Sequence, residues 1–147
     1  MAVSVFLALL AALCVNSRAQ AQEKLYGAWK VEFFARMTTP GDVAEDAAPW
    51  RLEDQKEIVI GRNKIVLISG AIKAECKLEL VAKDPNSGQM TITYTPKNGP
   101  EDIFLGIYSI KDGVLSLCVS YEDDNKKPTN FEIRYNEERI LMRLRKK

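Results

Sequence analysis

The stretch that decides the fold is Ile72-Lys73-Ala74-Glu75-Cys76-Lys77-Leu78-Glu79-Leu80. Apolar and charged residues alternate along it without a break. In an extended chain successive side chains point to opposite faces. Ile72, Ala74, Cys76, Leu78 and Leu80 therefore share one face, and the charges Lys73, Glu75, Lys77 and Glu79 share the other. A helix would spread those charges around its whole surface; a strand with one face in water and one in a core separates them. One-sided burial of this kind is typical of antiparallel sheets.

The same pattern continues on both sides. Towards the C-terminus, Asp84-Pro85-Asn86-Ser87-Gly88 turns the chain, and Met90, Ile92 and Tyr94 alternate with threonines. Pro96 to Pro100 turns it again into Ile103 to Ile110. Lys111-Asp112-Gly113 predicts a tight hairpin into Val114 to Ser120, because Asp-Gly tolerates the positive φ of such turns. A polar loop from Tyr121 to Lys127 leads to Pro128-Thr129-Asn130-Phe131, and the last strand is expected over Arg139 to Arg145. Towards the N-terminus lie Ile65 to Ile68, a turn at Gly61-Arg62-Asn63, then Ile58 and Ile60. Trp29, Val31 and Phe33, alternating with Lys30 and Glu32, make the first strand and are read as pointing inward, with Gly27 leaving room for the indole ring.

About eight short strands at spacings of roughly 8 to 12 residues indicate an all-β sandwich or barrel. Hairpin-length links favour a closed, antiparallel up-and-down barrel, and closure removes the sheet edges that invite aggregation. The best helix candidate, Trp50 to Lys56, is short, enough for one turn, and follows a proline. It ends the polar stretch Thr38 to Gln55, which holds Pro40-Gly41, Pro49 and five acidic residues. That stretch is too polar to fill a core and is expected to form a flap over one mouth, with Trp50 as its large apolar group.

The segment Val3 to Val15 is apolar, carries no charge, and is shorter than the roughly 20 residues of a spanning helix. Ala19-Gln20-Ala21 follows with the small-x-small form of a signal-peptidase site, and Ser17-Arg18-Ala19 is a second choice. Residues 1–21 are accordingly read as a secretory signal peptide and residues 22–147 as one barrel domain, periplasmic or extracellular, without a stable membrane span. An uncleaved anchor is the competing reading. A lipid anchor at Cys14 is disfavoured because Leu13 stands where a small residue is required.

The chain has 147 residues, with Lys and Arg numbering 21 against 20 for Asp and Glu, so no broad basic face for nucleic acid is implied. The cluster Arg143, Arg145, Lys146 and Lys147 reads as a solvated strand end. The chain contains no histidine, which removes the commonest general base and the Ser-His and Cys-His pairings. Glu101-Asp102 and Glu122-Asp123-Asp124 lack the spacing of a calcium loop. No glycine-rich phosphate loop is present. The expectation is a protein that is not an enzyme and needs no metal or cofactor. Cys76 faces inward while Cys118 shares its face with Ser116 and Ser120, so opposite strand phases predict that the two remain unpaired.

Three stretches resemble a known family. Leu25-Tyr26-Gly27-Ala28-Trp29-Lys30-Val31 is similar to its opening L-x-G-x-W-x-V. Gly106-Ile107-Tyr108-Ser109-Ile110 with Asp112-Gly113-Val114-Leu115-Ser116-Leu117-Cys118 resembles its G-I-Y-x-L…D-x-L-x-L-C block. Lys127-Pro128-Thr129-Asn130-Phe131 is similar to the R-P-T-x-F that follows, with lysine in place of the family's arginine. The family is a conserved-domain family of planctomycete proteins, many exported and described as lipocalin-like, with no established activity. The resemblance implies the fold and no reaction. Gly27-Ala28-Trp29 is also similar to the G-x-W of true lipocalins, whose tryptophan closes one end of the barrel beneath an arginine; Arg139, Arg143 and Arg145 are the candidates here.

The leading functional expectation is a binding module for a small apolar ligand, with Trp29, Phe33, Trp50, Tyr94 and Tyr108 lining the barrel interior and mouth. The alternative is a cell-envelope domain with a filled interior that binds a protein partner through its loops. An eight-stranded barrel is compatible with either.

Overall fold

The alternation at Ile72–Leu80 becomes part of a 13-residue strand, Ile72–Asp84, in the computed structural model, which describes residues 22–36, 57–121, 127–132 and 139–147. The leader, the 38–55 stretch with Trp50, and the helix expected at 50–56 lie outside the described residues. Eight strands follow one another: β1 (Gly27–Arg36), β2 (Glu57–Ile60), β3 (Lys64–Ser69), β4 (Ile72–Asp84), β5 (Ser87–Tyr94), β6 (Asp102–Lys111), β7 (Val114–Tyr121) and β8 (Arg139–Lys146). Each pairs antiparallel with the next, and β8 pairs with β1, so the sheet closes into an up-and-down barrel in sequence order. Among the described residues no helix is long and apolar enough to cross a membrane.

Three hairpins meet at one end, here called the floor: the turns after β2, β4 and β6. The last is the expected Asp-Gly turn, with Asp112 and Gly113 at φ 52° and 75°. At Asp84 the turn is locked by its own side chain. One carboxylate oxygen accepts from Asn86 N at 2.8 Å, and the other from Ser87 Oγ. These bonds stabilise the ionised form and hold the Asp84 carboxyl below its ordinary range. A helical turn at 22–25, which the alternation pattern gave no reason to expect, precedes β1 at the same end.

The interior is apolar from floor to mouth. Trp29, Phe104 and Tyr108 are the largest of its fully buried side chains, and Leu78, Met90, Leu117, Met142 and Leu144 pack among them. Two glycines make this packing possible. A Cβ on Gly106 would stand 2.6 Å from Val119 Cγ1 and 2.8 Å from the Cys118 carbonyl oxygen. One on Gly88 would stand 2.7 Å from the Tyr108 hydroxyl. Cys76 lies in the interior cluster and Cys118 outside it; both are buried, and neither forms a disulfide among the described residues.

The first strand corrects the expected phase. The β1–β8 register shifts between Val31 and Phe33, so a β-bulge takes up one residue there. Trp29 is buried and Val31 packs against the core, but Phe33 turns outward and is 44% exposed, while Phe34 takes the inward place. Ile72, read as inward, is also exposed, because it begins β4 at the mouth-side turn.

Candidate functional site

Two ends of the barrel differ in construction. The floor is sealed. Leu25, from the 22–25 turn, is fully buried beneath the barrel, and its carbonyl accepts the Trp29 Nε1–H at 2.8 Å. Lys146 Nζ lies 5.6 Å from the centroid of the Trp29 ring and donates to the Lys24 carbonyl at 3.3 Å. Lys24 Nζ in turn donates to Asn86 Oδ1 of the β4–β5 turn at 3.2 Å. The lid is thus tied to both the last strand and a neighbouring hairpin.

The cation over Trp29 is therefore Lys146 and none of the three arginines expected there. Arg139 points out of the barrel and donates to Asn130 Oδ1 and the Glu132 carbonyl at 3.2 and 3.3 Å. Arg143 lies over the outward Phe33 ring at 5.4 Å, and Arg145 pairs with Glu32 at 2.9 Å. Met142, Leu144 and Lys146 alternate on the inward face, so only Lys146 continues the inward row to the floor. Gly27 serves the lysine and not the indole: a Cβ there would meet Lys146 Cε at 3.3 Å, and its φ of 125° disfavours any other residue.

At the other end the apolar lining is partly exposed, as it also is at Tyr26 and Ile110 beside the floor. Phe34, Ala74, Tyr94 and Tyr121 are partly buried and pack onto the core, and the Tyr121 ring meets that of Phe104 in a tilted contact with centroids 4.5 Å apart. β1, β5 and β7 all end there, which brings Phe34, Tyr94 and Tyr121 to one rim. No family model, curated protein or solved structure matches this chain. What the site can do rests on its own geometry.

The candidates read from the sequence separate accordingly. Trp29 is in the floor, Tyr108 is fully buried in the interior, and Tyr94 is at the rim. Phe33 is on the outside, and Trp50 lies outside the described residues. Tyr108 carries a buried hydroxyl with no hydrogen-bond partner among the described residues. Burial raises its pKa, and the nearby Asp84 charge adds to the effect, so the phenol stays neutral. Burial also pushes the Cys76 thiol up to about 11, with a smaller contribution from Glu75. Sequence reasoning missed Phe34 and Tyr121 at the rim and Leu25 and Lys146 in the floor. Among the described residues no group of histidine, cysteine and carboxylate side chains could hold a metal ion.

Proposed function

We propose that the protein is an exported, non-catalytic binding module that takes up a small apolar ligand at the rim formed by Phe34, Tyr94 and Tyr121. The observation that carries this reading is the asymmetry of the barrel. One end is stapled shut by Leu25, Trp29 and Lys146. The other presents aromatic side chains that remain partly accessible above an apolar interior. Concave apolar surfaces with a few polar groups at their edge are the usual form of small-molecule sites. The hydroxyls of Tyr94 and Tyr121 would supply the polar edge. Neutral buried thiol and phenol groups inside the barrel favour an uncharged guest.

A second reading has its own support. Interior residues from every strand are nearly inaccessible: Ile92, among the more open of them, is only 7% exposed. Packing this close suits a filled barrel that acts through its surface on a protein of the cell envelope. Native mass spectrometry of protein purified from its own host separates the two. A retained small molecule, released on unfolding, is the result expected of the binding module. A bare mass, together with no uptake of the uncharged dye N-phenyl-1-naphthylamine, would leave the filled barrel as the function.

A further inference from the structure

Two of the sequence blocks singled out above, Gly106–Ile110 and Lys127–Phe131, meet on the outside of the barrel. Segment 127–132 runs across the outer face of the sheet and is held at both ends. Lys127 Nζ donates to Gln89 Oε1 of β5, and the Arg139 guanidinium of β8 donates to Asn130 Oδ1 and the Glu132 carbonyl. Pro128 is buried between these anchors. Between the segment and the sheet lies a cavity of about 360 Å³. Ile107, Pro128 and Phe131 give it apolar walls, and Lys83 and Lys127 stand at its edge; among the described residues no acidic side chain lines it. The carboxylate next in sequence, Asp84, is engaged by its own turn.

We infer that this cavity binds a small organic anion with an apolar body. The anionic group, a carboxylate or sulfonate, sits between Lys83 and Lys127, and the hydrocarbon lies against Ile107, Pro128 and Phe131. Thr129 offers a hydroxyl donor beside it, while the Ser87 hydroxyl is engaged by Asp84. The volume falls near the lower end of the range for small-molecule sites, about 300–1,000 Å³. The site is independent of the rim: it is on the outer face, it is cationic, and it requires only an ordered 127–132 segment.

The probe is 1-anilinonaphthalene-8-sulfonate, an aromatic monoanion, titrated by fluorescence against the folded protein. One saturable site is expected. Lys83→Gln and Lys127→Gln should each weaken it about threefold, as for partly solvated charge contacts. Ile107→Trp, which fills the cavity, should remove binding altogether. N-phenyl-1-naphthylamine has the same rings without the sulfonate, so its binding at the rim should be insensitive to these changes. If Ile107→Trp fails to fold, the double lysine variant carries the test, since both side chains are exposed. Binding of the anion that survives the lysine changes and is lost in Tyr94→Arg would overturn the inference and place the dye at the rim. Absence of a saturable site for the anion would overturn it as well, whatever the neutral dye does.

Discussion

Trp29 is fixed by its ring nitrogen on the Leu25 carbonyl and by Lys146 across its face. Trp29→Ala should cost about 3–5 kcal/mol, the usual range for a buried aromatic, read as a shift in the denaturant midpoint. Lys146→Met keeps an apolar stem over the ring and loses the cation–π contribution, roughly 0.5–2 kcal/mol, so its shift should be the smaller. Lys146 was legible in the sequence, because it continues the inward phase of Met142 and Leu144. Its place in a run of basic residues concealed that, since such runs usually mark a solvated end. The thiol of Cys76 gives a pH prediction. Its folded pKa of about 11 lies above the ordinary 9.0. The fold therefore binds a proton that the unfolded chain has released between those values. Stability from this group is complete below pH 9 and is lost as pH rises towards 11, and Tyr108 shifts in the same sense. Melts across this window should show a steady fall that Cys76→Ala reduces. A flat profile in the parent protein would contradict the burial of Cys76.

At the scale of the element, the bulge in β1 decides which of two adjacent phenylalanines is structural. Phe33→Ala should cost no more than about 0.5–1 kcal/mol, the worth of an exposed contact with Arg143. Phe34→Ala should cost at least about 2 kcal/mol, since it vacates core. Equal losses would show that the β1 register is wrong. The sequence could not decide this. Phe33 and Phe34 are the same residue type, and one inserted residue leaves no mark in composition, whereas the uninterrupted alternation of β4 made its register plain. The glycines of β5 and β6 are a related case: their need for close approach depends on pairing partners far away in the chain. Gly106→Ala should destabilise by about 1–3 kcal/mol, because the new methyl meets the fixed carbonyl of Cys118 and the overpacked strand must shift. A thermal melt of this variant coinciding with the parent's would show that β6 and β7 are further apart.

On the scale of the whole molecule, the barrel has a floor held by Leu25, Trp29 and Lys146 and, at its other end, the partly buried aromatic rim proposed above as the binding site. The meander order from β2 to β7 followed from short links, whereas the long connections after β1 and β7 carry no such signal. The sealed end was partly legible, through the inward phase of Trp29 in the alternating run that opens β1. The rim was not, apart from Tyr94, because Phe34 depends on the bulge and Tyr121 stands at the edge of a polar loop. The outer cavity needed residues of β4, β5, β6 and segment 127–132 to be brought together, which no local pattern announces. The most direct test of the central claim is a backbone chemical-shift titration of the isotopically labelled protein with N-phenyl-1-naphthylamine. The account predicts saturable shifts concentrated around Phe34, Tyr94, Phe104 and Tyr121, with the Trp29 indole signal unmoved. Shifts centred on Trp29 and Leu25, or no saturable shifts at all, would contradict it.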